Sequence, residues 1–176
     1  RPDGSVIKDA RFIDFSGLSA RQYLEAGDYE LVVYRSDDAA GEVAFRLLAF
    51  NELTGIVPGT PVDAVLDPGS LTRGYRFAGE AGQRFSIDFP FVDGNSVSWR
   101  LIGPNGDQVA GASSPGDVDP FVLRRDGEYI LLIEGGSSRV DPTTVRYNLI
   151  EAPRRTPVPV SSAENPAAPD LVPADL

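Results

Sequence analysis

The chain contains no cysteine, no histidine and no methionine among its 176 residues. Without cysteine there is no disulfide, no thiol nucleophile and no thiolate metal site. Without histidine the chain lacks the usual general base near neutral pH and the commonest ligand for zinc. Lys8 is the only lysine, so catalysis through an amine would depend on one residue near the start of the sequence. These absences predict that the chain is not an enzyme.

Positive charge is also scarce, and the net charge is −10. An electrostatic field of this sign repels phosphate backbones and anionic lipid headgroups, so we expect no nucleic-acid partner. No apolar run approaches the roughly 18 residues that a membrane-spanning helix needs. We therefore expect no membrane insertion.

The sequence is instead rich in short strands and turns. Its 18 glycines and 15 prolines favour many short strands over long helices. Residues 85–89 and 97–101 alternate apolar and polar side chains, which predicts strands with one buried face and places Trp99 on that face. Tyr129–Ile133 is apolar throughout and predicts a central strand covered on both sides. The expected fold class is all-β.

The second half of the chain partly repeats the first. The segment around Tyr29 returns around Tyr129 at an offset of 100 residues (129 − 29), and two further matches have an offset of 102 (104 − 2 and 147 − 45). Three matches in the same order favour a duplicated unit. The matched pairs are Gly27-Asp28-Tyr29 with Gly127-Glu128-Tyr129, Pro2-Asp3-Gly4 with Pro104-Asn105-Gly106, and Phe45-Arg46-Leu47 with Tyr147-Asn148-Leu149.

This pattern predicts three regions. Residues 1–52 match only the second half of the unit, and residues 53–153 form one complete unit. The missing front half would come from further sequence, from another segment, or from packing against the complete unit, because open sheet edges invite pairing. Residues 154–176 contain five prolines and predict an extended linker, part of which we expect along the surface of the complete unit.

A series of five motifs follows one order along residues 65–152. They are Tyr75-Arg76-Phe77, Ala81-Gly82-Gln83-Arg84-Phe85-Ser86-Ile87-Asp88, Leu101-Ile102-Gly103-Pro104-Asn105-Gly106, Asp126-Gly127-Glu128-Tyr129-Ile130-Leu131-Leu132-Ile133 and Tyr147-Asn148-Leu149. This order resembles the bacterial pre-peptidase C-terminal domain family, and residues 1–50 resemble the second half of that family. The resemblance implies a jelly-roll-like antiparallel β-sandwich from a secreted or cell-surface bacterial protein. Members are appended to secreted peptidases or occur in tandem, and some bind calcium or polymeric substrates such as collagen.

Calcium is the one cofactor that the sequence suggests. Asp88, Asp93, Asp117 and Asp119 lie in or beside predicted loops, and calcium takes six to eight oxygen ligands that such loops often supply. The alternative is that these acids are solvated turn residues. The spacing of an EF-hand is absent.

Three aromatic residues are candidates for contact with a ligand: Phe89, Phe91 and Trp99. A tryptophan on an edge strand can stack on a sugar ring, but its alternation with Val97 and Leu101 favours packing in the core. Phe89-Pro90-Phe91-Val92 would either cap the core or form an exposed contact patch.

Two functions follow from these observations. The first is a non-catalytic extracellular β-sandwich unit that acts as a spacer, scaffold or adhesion unit and whose partners are neighbouring domains of the same polypeptide. The second is an accessory domain that binds an extracellular polysaccharide or protein beside a secreted enzyme. An exposed aromatic platform or a concave sheet face would favour the second.

Overall fold

A computed structural model describes residues 24–32, 48–94, 97–116, 118, 120–136 and 138–153. These residues form nine strands and one 3-10 turn, Phe50–Glu52. The strands are β1 (Thr54–Gly55), β2 (Val62–Leu66), β3 (Thr72–Gly79), β4 (Arg84–Val92), β5 (Val97–Ile102), β6 (Gln108–Ala112), β7 (Phe121–Val122), β8 (Gly127–Gly135) and β9 (Thr143–Ala152). None of the described residues belongs to a helix long and apolar enough to cross a membrane.

The strands form two sheets, which confirms the predicted all-β, jelly-roll-like antiparallel β-sandwich. One sheet has five strands in the order β1-β3-β8-β5-β6, and the other has four in the order β2-β9-β4-β7. Neighbouring strands are antiparallel except β1, which pairs with β3 in parallel. The sequential strands β4 and β5 lie in different sheets, so the chain crosses between the two layers.

Alternating side chains fill the space between the sheets. In β5, Val97, Trp99 and Leu101 are buried as the alternation predicted. Each large apolar side chain removed from water in this way contributes about 1.5–3 kcal/mol. The inward-facing residues of the core are Ala64, Leu66, Tyr75, Phe77, Phe85, Ile87, Val97, Trp99, Leu101, Leu123, Tyr129, Leu131, Ile133, Val145, Tyr147 and Leu149.

The apolar strand β8 occupies the central position of the five-stranded sheet, as the sequence predicted. Tyr129, Leu131 and Ile133 are buried between the sheets, whereas Ile130 and Leu132 on the outer face are only half-buried. The outer face is therefore covered incompletely, and residues 48–53 supply part of the cover over Leu132.

A sharp turn leads the chain into β8. Gly127 has a φ of 138°, a value that side-chain-bearing residues rarely adopt. A Cβ atom at Gly127 would also lie 2.8 Å from Cγ of Pro104. Two residues later, the hydroxyl of Tyr129 donates a hydrogen bond of 2.7 Å to the carbonyl of Arg125. Burial raises the pKa of Tyr129, so this hydroxyl keeps its proton as a donor.

The same hydrogen bond occurs at Tyr29, the residue that the sequence comparison pairs with Tyr129. The hydroxyl of Tyr29 donates to the carbonyl of Glu25 over 2.9 Å, which is again a span of four residues. Residues 24–32, however, contain no strand. Tyr29 is 39% exposed and Leu31 is 55% exposed, so the same hydrogen bond forms although these side chains are not buried.

Part of the predicted organisation lies outside the described residues. This applies to most of the proposed half unit 1–52 and to residues 154–176, with their predicted surface contact. The strands of the sandwich lie between Thr54 and Ala152, and the division into regions 1–52, 53–153 and 154–176 remains a prediction.

Candidate functional site

A β-bulge separates the two phenylalanines that the sequence singled out. Asp88 pairs with Asn148, but the next pair joins Phe91 to Arg146, so between these pairs β4 has two residues where β9 has one. Pro90 lies within the bulge and lacks the N–H that a regular ladder would need. Phe89 continues the inward alternation of Phe85 and Ile87, and the extra residue places Phe91 on the outer face.

The sequence left two interpretations of residues 89–92, a cap on the core and an exposed contact patch, and each applies to a different phenylalanine. The ring of Phe89 lies 6.2 Å from that of Tyr147, and Phe89 packs against the edge of the core. Phe91 is 53% exposed. Phe89 caps the core, and Phe91 is the part of the stretch that a partner molecule can reach.

Trp99 lies at the centre of the sandwich. It is 0% exposed, and its ring centroid is 6.1 Å from that of Phe121. This burial agrees with the core-packing interpretation and leaves no surface for a sugar ring. Of the three candidates Phe89, Phe91 and Trp99, only Phe91 is exposed enough to stack on a ligand.

A fixed ion pair lies beside Phe91 on the outer face of the four-stranded sheet. Arg146 is directly opposite Phe91 in the register, and its Nε and a terminal nitrogen donate to the two carboxylate oxygens of Asp63 at 2.6 and 2.9 Å. The hydrogen bond from Arg146 lowers the pKa of Asp63, and the same bond raises the pKa of Arg146. One exposed ring and two oriented charged groups are suited to binding, and they include no nucleophile activated by a base.

The structure tests only part of the predicted calcium set. Asp88 lies half-buried in β4, and Asp93 lies in the following loop, where its carboxylate is 4.0 Å from the Arg139 guanidinium. Asp117 and Asp119 lie outside the described residues. Among the described residues, no group of three or more acidic side chains is close enough to hold a metal ion. A calcium site that uses Asp117 and Asp119 stays a prediction.

A cleft of about 830 Å³ opens at the edge of the sandwich between β6 and β7. Phe121 contributes aromatic surface, and Asp107, Arg124 and Arg125 contribute charged groups. Tyr129 also lines the cleft but is only 1% exposed. The sequence pattern does not predict this cleft, because two separate segments line it, the 103–109 hairpin and residues 121–129. The adjacent arginines were the only local signal.

Comparisons with known proteins find solved structures of similar fold, with low sequence identity and low TM-scores. No family model matches the chain, and the search of curated proteins finds no match. Among solved structures, the chain resembles PliG of Aeromonas hydrophila, a periplasmic lysozyme inhibitor of g-type lysozyme, with 15% identity and a TM-score of 0.39 over 55% of this chain and 95% of that one. It also resembles the pre-peptidase C-terminal domain of a collagenase from Bacillus anthracis, with 18% identity and a TM-score of 0.44 over 56% of this chain and 94% of that one.

Proposed function

We propose that the chain is a non-catalytic β-sandwich unit that acts as a spacer, scaffold or adhesion unit in a secreted or cell-surface bacterial protein. Its partners are then the neighbouring domains of the same polypeptide. We further propose that it belongs with the pre-peptidase C-terminal domains that its motif order resembles. The observation that carries the proposal is the matching pair of tyrosine hydrogen bonds, Tyr29 to Glu25 and Tyr129 to Arg125.

The paired hydrogen bonds support the proposal because they give two segments, 100 residues apart (129 − 29), the same local geometry. Units repeated along one chain build length and present surfaces, and each repeat contacts mainly its neighbours. The side chains of Trp99 and Leu131 fill the interior of the complete unit. A filled interior favours a structural role over the enclosed, partly apolar pocket of a small-molecule site.

Binding and turnover assays on the full chain test this proposal. We expect no hydrolysis of a panel of neutral and acidic polysaccharides or of fibrous protein. A spacer or scaffold should also show no saturable binding to them, whereas an adhesion unit should bind one of them without cleaving it. Single-molecule stretching should show one cooperative unfolding event for the complete unit. Release of product from any of these polymers would contradict the proposal.

A second candidate is an accessory domain that binds a polysaccharide, and the exposure of Phe91 beside the Asp63–Arg146 pair favours it. An aromatic ring stacks on the apolar face of a sugar, and fixed polar groups hydrogen-bond its hydroxyls. If a polysaccharide binds, Phe91→Ala should weaken binding, whereas Val140→Ala, at another exposed position, should leave it unchanged.

A further inference from the structure

The two sheets end at β6 and β7, the outermost strands in their strand orders. Within the described sheets, β6 (Gln108–Ala112) pairs with β5 and with no other strand, and it contains neither a charged residue nor a proline. A bulge at Val109 interrupts β6, but residues 110–112 continue in regular pairing. Natural proteins often protect an edge strand with charge or proline, because its free N–H and C=O groups can pair with another chain. β6 has neither protection.

The opposite end of the sandwich offers less to an added strand. There β1 is the outermost strand of its sheet and has only two residues, and very short edge strands provide few groups for pairing. In β2, the carbonyl of Val65 accepts a hydrogen bond of 3.2 Å from Nε of Arg73. The contrast indicates the β6–β7 end as the place where a further backbone can pair.

Two arginines line the cleft of about 830 Å³ at this end. Arg124 and Arg125 come shortly after β7, and both are exposed. Within the described part of the chain, neither guanidinium forms an ion pair or a hydrogen bond, whereas Arg146 is paired with Asp63. In a chain of net charge −10, these two arginines form a local positive site.

Two acidic residues lie near these arginines. Asp107 lines the cleft together with them. Asp126 follows Arg125 in the sequence, but its carboxylate already accepts a hydrogen bond of 2.7 Å from the backbone N–H of Ala81. The cleft therefore presents two guanidinium groups and one carboxylate, and a ligand that carries several carboxylates suits this balance because guanidinium groups bind carboxylates by charge-assisted hydrogen bonds.

An extended peptide suits this end of the sandwich better than a sugar polymer does. Sugar rings stack on exposed aromatic faces, but of the two aromatic residues in the cleft Phe121 is half-buried and Tyr129 is buried. A peptide strand can instead use the free backbone groups of β6, and its alternate side chains then point to the same face. Acidic side chains at every second position would face Arg124 and Arg125.

We propose that the cleft between β6 and β7 binds an extended acidic peptide segment of a partner protein. The segment adds a strand to the edge of β6 and places its carboxylates on Arg124 and Arg125. This inference rests on the proposed non-catalytic function and adds to it a protein partner that is recognised by charge and by backbone pairing.

Fluorescence anisotropy with the full chain tests the site. The probe is a short labelled peptide in which glutamate and valine alternate, and it should bind saturably at low ionic strength. Arg124→Gln and Arg125→Gln should each weaken binding about three- to tenfold, because each removes one charge-assisted contact. The double variant Arg124→Glu with Arg125→Glu should abolish binding.

A matched variant controls for the loss of charge. Arg139→Gln removes the same charge in the loop after β8, at the opposite end of that strand from Gly127 and the cleft, and should leave the affinity unchanged. Trp99 is the only tryptophan and is buried, so its unchanged emission shows that the sandwich stays folded in each variant.

Two altered ligands separate backbone pairing from charge. In an extended strand alternate N–H groups point to the same side, so N-methylation of one set of alternate amides should abolish binding and methylation of the other set should not. An oligomer of galacturonate carries carboxylates without peptide N–H groups and should bind more weakly than the peptide. Equal or tighter binding of this oligomer would overturn the peptide as the ligand.

The remaining outcomes separate the site from the proposed function. No saturable binding of the glutamate–valine peptide, or equal binding by Arg124→Gln, Arg125→Gln and Arg139→Gln, would overturn the site. Equal binding by both N-methylated peptides would overturn the added strand. Hydrolysis of the peptide would instead overturn the non-catalytic function, whatever the affinities show.

Discussion

The segments around Tyr29 and Tyr129 have similar sequences and the same local hydrogen bond, yet their burial is opposite. Both tyrosines donate to the carbonyl four residues earlier. Tyr129 is 1% exposed and Leu131 is 0% exposed, whereas Tyr29 and Leu31 are 39% and 55% exposed. The turn therefore depends on local sequence, but burial depends on the strands that surround it.

Leu131 is buried because other strands surround it. It has β3 and β5 on either side and the four-stranded sheet in front. Residues 62–102 supply β3 and β5 themselves and two strands of the opposing sheet, β2 and β4. The repeat match covers only the second half of the unit and does not include these strands.

The largest expected contrast is between the two tyrosines. Tyr129→Ala should reduce the free energy of unfolding of the sandwich by about 3–5 kcal/mol, because it removes a buried ring that stacks on Phe77 and leaves a cavity. Tyr29→Ala should change it by less than about 1 kcal/mol. Urea unfolding followed by Trp99 fluorescence measures both, and equal losses would remove the distinction between the copies.

The paired glycines provide a second contrast. Gly127→Ala should cost about 1–3 kcal/mol, because the backbone has a φ of 138° and Pro104 leaves no room for a methyl group. At Gly27 the nearest atom to a new Cβ is 3.9 Å away, so Gly27→Ala should lie within about 0.5 kcal/mol of the parent. Thermal unfolding compares the two variants, and a large loss from Gly27→Ala would indicate that the first copy is packed.

A smaller effect concerns an ion pair that only the complete unit has. Arg146 corresponds to Ala44 at the offset of 102 (146 − 44), so the first copy has no equivalent of the Asp63–Arg146 pair. Since the hydrogen bond from Arg146 lowers the pKa of Asp63 in the folded state, its stabilisation is present above the ordinary pKa of aspartate and is lost as the pH falls.

An NMR titration of the Asp63 carboxyl group measures this difference. The midpoint should lie below the ordinary aspartate value in the parent and return toward that value in Arg146→Gln. The effect on stability should be small because both side chains are exposed to solvent. An unchanged midpoint in Arg146→Gln would mean that the pair does not persist in solution.

The smallest expected effect is that of calcium. We expect the four candidate acids to act as solvated turn residues, so the melting temperature should be the same with calcium and with chelator. A ligand that binds the folded state raises the melting temperature by mass action. A rise that Asp117→Asn and Asp119→Asn abolish would instead locate a calcium site at those residues.

The sequence predicted those features that depend on local pattern. Alternation in residues 97–101 placed Trp99 in the core, and the apolar run around Leu131 identified the central strand. The bulge at Pro90 was not predictable in the same way, because one extra residue reverses which side chains face inward after it. This reversal is why Phe89 and Phe91, two residues apart, have opposite environments.

Contacts between segments that are distant in the sequence could not be predicted either. Leu53 fills the space at Gly74 of β3, but neither residue signals the other in the sequence. The cleft between β6 and β7 is similar, since its lining residues meet only after the two sheets have packed. The strands could therefore be predicted from the sequence, whereas the candidate binding surfaces could be identified only from the structure.

Amide hydrogen exchange of the full chain, compared at Leu31 and Leu131, tests the central distinction most directly. Leu131 lies in a strand paired on both sides, so its amide should exchange only through global unfolding. Leu31 should exchange at nearly the rate of an unstructured peptide. Equal, strong protection at both residues would show that the first copy already has a completed sheet, and would contradict the account.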